Sequence, residues 1–280
     1  LGVYVGTAGF SYNDWKGNFY PVSIAQQDML SYYSSNFPVV EINSTYYAIP
    51  SPERVFQMAK RTPVDFQFTV KANKAMTHEI EIDDVFEKFR SALRPLEDHG
   101  KLGCILFQFP WGFKKNRENC NYLEFIARRF EGIDKVVEFR NDSWETDDTF
   151  DLLRDLGLGY CCVDEPRLRG LVSTRVEVTT QVGYVRFHGR NYETWWDKGR
   201  EPWERYNYLY SEEELSQWAS DVSKMAEETE RVYVIFNNHY KGQAPANARM
   251  FEGMLKAIIG DGLKSVSHFR KEVEGRERLF

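Results

Sequence analysis

A single-domain (β/α)8 TIM barrel spanning residues 1–280 is the fold this sequence predicts, and three observations point to it. Short β-branched and aromatic runs alternate with helix-like ones about eight times in roughly 250 residues, which is the arithmetic of a strand–helix barrel. Connections from helix to strand are terse, whereas those from strand to helix are long and aromatic. Ionisable residues recur near the C-terminal ends of the strands, on the parity opposite an apolar face.

The first strand is read in VYVGTAG, and the loop GFSYNDWKGNFYP leads to a first helix in IAQQDMLSYYSSNF. VVEINST with PERVFQMAKR, FQFTVKA with VFEKFRSALRPLEDH, LGCILFQF with YLEFIARRF, and KVVEFR with FDLLRDLG form the next four units. Their returns to the sheet are as short as NFP, RTPVD, EDHGK, FEGID and LGL. GYCCVDE is the sixth strand, but Pro166 to Val182 holds no convincing amphipathic helix, so irregular chain is expected there. GYVRFHG is followed by the longest loop, GRNYETWWDKGREPWERYNYLYS, and then by SEEELSQWASDVSKMAEETE. Ser211 with Glu214 three residues on is a capping box that opens this helix. RVYVIFNN and ARMFEGMLKAIIG complete the set, and no repeat or composition break marks a second domain.

Hydrophobic residues at 42% and aromatics at 15% supply a substantial core and argue against disorder. A net charge of -6 and a pI near 5.6 argue against a general nucleic-acid or anionic-membrane binder, while leaving room for a local basic patch. No apolar run approaches the roughly 18 residues of a membrane span, and no basic-then-apolar signal peptide opens the chain. Cys104, Cys120, Cys161 and Cys162 lack C-x-x-C spacing and read as reduced core thiols, so a cytoplasmic location is expected.

Strand periodicity sorts the polar residues. Val40 and Ile42, Phe66, Phe68 and Val70, Ile105 and Phe107, Val137 and Phe139, Cys161 and Val163, Val185 and Phe187, and Val234 and Phe236 should face the helices. The other parity turns Glu41, Asn43, Lys71, Gln108, Glu138, Arg140, Asp164, Arg186, His188, Asn237 and His239 into the barrel mouth. So many buried charges are costly unless paired, and an apolar filling would be cheaper. The alternatives are an ion-pair network plugging the barrel and a ligand pocket, and the whole ring favours the pocket.

GTAGFSYNDWKGNFYP, FPVVEINSTYYAIP, FTVKANKAMTH, ILFQFP, VVEFRNDSW, GYVRFHGRN, YNYLYSEEEL and FNNHYKGQAPANA resemble, in order, the signature segments of the domain of unknown function 72, or YecE-like, family. The resemblance runs from about residue 5 to 259 and implies a TIM barrel, but no general biochemical activity is established for that family. The motif positions it carries over are Glu41, Asn43, Lys71, His78, Gln108, Glu138, Arg140, His188, Asn237, Asn238 and His239. Asp164 falls in the family's more variable sixth strand.

Several chemistries fit this ring. Glu138, Asp164, His188 and His239 are the candidate catalytic groups: a histidine moves protons near neutral pH while a carboxylate fixes its tautomer. The same four would be the ligands if a divalent metal were used, but competition from Lys71, Arg140 and Arg186 for the carboxylates disfavours it, and no cofactor is predicted. Lys71, if desolvated, could form a Schiff base, or else pair with Glu41 or Glu138. An anion site is expected between HGRN and NNHYKGQAPANA, where barrels often bind phosphate through backbone N–H groups. Gly189 and Gly242 would let the backbone approach, with Arg186, Arg190 and Lys241 supplying charge and Asn237 and Asn238 hydrogen bonds. Both glycines could equally be ordinary turn residues. Trp195, Trp196 and Trp203, interleaved with Lys198, Arg200 and Arg205, read as a lid, a stacking platform or a loop anchor. The expectation is an intracellular enzyme acting by acid–base chemistry on a small phosphate- or carboxylate-bearing substrate. A nucleic-acid-binding or metal-dependent repair-like barrel and a non-catalytic metabolite binder are the alternatives.

Overall fold

The computed structural model describes residues 2–80, 84–193, 195 and 202–264. Eight parallel strands close on themselves: β1 (Gly2–Ala8), β2 (Val39–Ile42), β3 (Gln67–Lys71), β4 (Leu102–Gln108), β5 (Lys135–Glu138), β6 (Leu158–Asp164), β7 (Val182–Phe187) and β8 (Arg231–Phe236). The seam lies where β1 pairs with both β8 and β2. Gly6 sits opposite Val39 there, and a Cβ on it would come within 2.1 Å of the Val39 carbonyl oxygen, so closure needs glycine. A ninth short strand, β9 (Leu263–Lys264), pairs with Val3 and Tyr4 on the N-terminal half of β1.

Outside the barrel lie α1 (Met29–Ser34), α2 (Pro52–Lys60), α3 (Lys74–Thr77), α4 (Val85–Asp98), α5 (Arg117–Arg129), α6 (Asp147–Leu156), α7 (Glu212–Glu228) and α8 (Gln243–Ile259). α1 is much shorter than its amphipathic run predicts. As expected, residues 165–181 form no helix between β6 and β7. Ion pairs from Arg154 to Glu177 and from Arg175 to Asp147 fasten that segment to α6 instead. The Ser211 capping box is present at the start of α7. No helix among the described residues is long and apolar enough to cross a membrane.

The predicted strand faces hold on six strands. Phe187 and Phe236, for example, stack on each other and pack on Phe251 of α8. β6 departs from the prediction. Cys161 registers with Tyr184 and Val163 with Arg186, and residues level with one another in parallel strands share a face. Cys161, Val163 and the following Glu165 therefore face the lumen, and Cys162 and Asp164 face outward.

Candidate functional site at the C-terminal mouth of the barrel

At the centre of the mouth, Arg186 on β7 bridges two carboxylates. Its Nη2 donates to Glu41 Oε1 at 2.7 Å, and its Nη1 donates to Glu138 Oε2. The second Glu41 oxygen accepts from the Tyr184 hydroxyl at 2.8 Å. Glu138 Oε1 pairs with Arg140 Nε at 2.7 Å, and Arg140 Nη1 reaches Glu165 Oε2 at 2.5 Å. All three acids are buried. Burial alone would raise the Glu138 pKa, but Arg140, Arg186 and His188 together hold it well below the usual carboxylate range. Burial likewise works against the Arg186 charge, and Glu138 and Glu41 outweigh it. Glu165 goes the other way: desolvation wins over the Arg140 guanidinium and lifts its carboxyl to about 7. Its Oε1 has no hydrogen-bond partner.

His188, just past the end of β7, adjoins this cluster and is fully buried. The Asn237 amide lies 3.0 Å from Nδ1, and Nε2 lies 3.1 Å from both Glu138 Oε1 and Arg140 Nη2. Desolvation, then Arg140, pushes the His188 pKa down to about 3, so the ring is neutral at physiological pH. Both ring nitrogens have partners within the protein.

Beside this cluster is a cavity of about 630 Å³. Lys71, Arg140, Arg186 and Arg205 supply its charge; Asn43, Gln108, Asn237 and His239 supply neutral polar groups; and no carboxylate lies on its wall among the described residues. Lys71 Nζ donates to Gln108 Oε1 at 2.8 Å and stands 4.6 Å from the Tyr46 ring centroid. Desolvation, with Arg186 next, lowers its pKa to about 8. His239 stacks on Tyr12 at 4.8 Å and 6°, and burial lowers its pKa too. Its ring makes no hydrogen bond to another described residue. Two further buried atoms, Arg186 Nε and Asn43 Oδ1, also have no hydrogen-bond partner among the described residues. Trp195 is buried against this wall, with the Arg140 and Arg205 guanidinium carbons 5.8 and 5.6 Å from its ring centroid.

Three expectations are corrected by this geometry. Asp164 does not face the mouth: its carboxylate accepts from Arg190 Nη2 at 2.6 Å, the Tyr210 hydroxyl at 2.8 Å and Trp218 Nε1 of α7 at 2.8 Å. The set Glu138, Asp164, His188 and His239 is therefore not assembled as metal ligands. Among the described residues no group of three or more His, Cys, Asp or Glu is placed to hold a metal ion. The glycine anion site is also not formed. Gly189 N–H donates to the Tyr210 hydroxyl at 2.8 Å, and a Cβ there would strike Tyr208 Cβ at 2.7 Å. Lys241 N–H donates to Asp14 Oδ2 at 2.8 Å, and Gly242 packs on Asn18. Asn238 lies outside the lumen, donating to Tyr208 O and Asn247 Oδ1, each at 2.8 Å. Trp196, Lys198 and Arg200 lie outside the described residues, as does the Trp203 side chain.

Sequence reasoning missed Glu165, although it adjoins Asp164 and one of two neighbouring acids on a strand must face the lumen. It also missed the walls Tyr12, Tyr46, Tyr47, Trp111 and Tyr206, whose only signal was the aromatic content of the strand-to-helix loops.

The comparisons agree with this architecture. The family described as protein of unknown function DUF72 matches residues 4–266. The UPF0759 protein YunF of Bacillus subtilis (strain 168) is 34% identical over 269 residues, covering 90% of this chain and 94% of that protein. A crystal structure of a DUF72 family protein from Thermotoga maritima MSB8 superposes with a TM-score of 0.85 at 42% identity, covering 91% of this chain and all of that one. One from Enterococcus faecalis V583 gives 0.80 at 29% identity over 91% of this chain and 95% of that one. With the family match spanning nearly the whole chain and the same barrel in its solved members, this protein belongs to the DUF72 family.

Proposed function

We propose that this protein is an enzyme that binds a small phosphate- or carboxylate-bearing substrate in the mouth cavity and transfers a proton with Lys71 and His239. The observation that carries this reading is the charge of the wall: four cationic side chains and no acid among the described lining residues. The buried acids are held within ion pairs below, so Arg140 and Arg186 keep fixed orientations while an edge of each reaches the cavity. A preorganised guanidinium pays little reorganisation on meeting an anion, and bidentate recognition of carboxylate or phosphate follows from its fork. The aromatic walls suit the uncharged remainder of a substrate.

Lys71 has the pKa that proton transfer at neutral pH asks for, because efficiency is greatest when a group titrates near the working pH. His239 is neutral there and can accept a proton from a substrate carbon or hydroxyl and return it. Glu138 and His188 act through Arg140 and Arg186 as positioning residues.

Titration with ribose 5-phosphate and with ribose tests the binding half of this reading. Phosphate-dependent binding should weaken about tenfold in Arg205→Met, one cation contact being worth roughly 1.4 kcal/mol. Equal affinity for ribose, or binding indifferent to Arg205, counts against it. For any substrate found, Lys71→Met and His239→Asn should each lower turnover by about 100-fold or more.

A further inference from the structure

We infer that the substrate's anionic group is joined, through a hydrogen-bond donor, to an apolar tail, and that a second cavity beside the mouth receives that tail. This rests on the anionic-substrate reading above and names the rest of the molecule.

The second cavity, of about 1080 Å³, opens between the loop after β1, α1 and the segment that follows β2. Its space exists because of local sequence. α1 has only six residues, and after β2 the chain makes a single 3-10 turn, Ser44–Tyr46, before Pro52 starts α2. The depth is hydrocarbon: Phe10, Leu30, Ile49, Val55, Met58 and Leu93 line it. No Asp or Glu lies on this wall among the described residues either.

Three residues, Tyr12, Asn43 and Tyr47, line both cavities, so the cationic chamber and the apolar one meet at a shared neck. Asn43 contributes the decisive polar atom there. Its Oδ1 is buried and accepts no hydrogen bond among the described residues. An orphaned buried acceptor is unfavourable, and a ligand N–H or O–H at the neck would satisfy it. A molecule that crosses the neck therefore carries its anion toward Lys71, Arg140 and Arg205, an amide N–H or a hydroxyl at Asn43, and an alkyl or acyl chain along Phe10, Leu30 and Met58. N-acyl amino acids have this arrangement of groups.

The test uses the full chain with N-acetylglycine and N-octanoylglycine, which share carboxylate and amide and differ only in the tail. The octanoyl compound should bind at least tenfold more tightly, since each buried methylene adds to the transfer term. Ala48 is an exposed residue on the wall of the second cavity, outside the catalytic groups, and Ala48→Trp should remove that advantage while leaving N-acetylglycine affinity unchanged. If both compounds bind equally, or if Ala48→Trp leaves the octanoyl preference intact, the tail assignment is overturned and the anion site stands. If neither compound binds while ribose 5-phosphate does, the N-acyl carboxylate assignment is overturned and the anion site again stands. If none of these anions binds, the proposed function itself fails.

Discussion

Among the shifted groups of the mouth, Lys71 and Glu165 each lead to a measurement. Lys71 should titrate near 8 because desolvation outweighs the acids around it. Acylation of Lys71 by an N-hydroxysuccinimide ester, followed by peptide mapping across pH 6 to 11, should show half-maximal reactivity near pH 8. A midpoint near 10.5 would mean the ammonium is solvated like a surface lysine. Glu165 makes a prediction about stability. Its folded value of about 7 lies above the ordinary 4.5, so below pH 4.5 both folded and unfolded chains keep the proton. Between 4.5 and 7 the unfolded chain releases it while the folded chain retains it, and stability falls as pH rises. Relative to Glu165→Gln, the natural protein should lose up to about 3 kcal/mol across that window, read from urea unfolding at pH 4.5 and 7.5. A pH-independent difference would contradict the raised value.

At the scale of elements, β6 marks the limit of what the sequence makes legible. Alternation assigned β2, β3, β4, β5, β7 and β8 correctly because each has an apolar parity and a polar one. β6 is buried on both faces and ends in two adjacent acids, so its pattern did not distinguish lumen from exterior. The register with β7 decides it, and register is a property of the closed sheet. Asp164 therefore belongs to the contact between β6, α7 and the loop before α7. Asp164→Asn should lower stability by about 2 kcal/mol, as expected when buried hydrogen bonds to a charged group are weakened, while Arg190 keeps Glu214 as its ion-pair partner. Affinity for ribose 5-phosphate should be unchanged. A loss of affinity with stability intact would return Asp164 to the site. The glycines after β7 and β8 show a similar limit: a turn role was readable at Gly189 and Gly242, but not that Tyr208 and Asn18 take the space beside them.

Across the whole molecule, the barrel and the cluster of charges at its mouth were legible because both follow from period and spacing. The division of that cluster was not. Glu41, Glu138 and His188 are sealed beside the cavity, whereas Lys71, Gln108, Arg186 and His239 face it, and only the three-dimensional closure of the sheet separates the two groups. The cavity walls come from irregular loops whose paths no periodicity specifies. A chain of net charge -6 thus presents at its mouth a cation-bearing wall with no acid among the described lining residues, the local basic patch that its composition allows. The measurement that tests this most directly is anomalous diffraction from crystals soaked in selenate. The predicted result is a selenium peak in the mouth cavity within contact of Lys71, Arg140 or Arg205. A peak at Gly189 and Gly242 instead, or an empty cavity alongside selenate bound elsewhere, would contradict it.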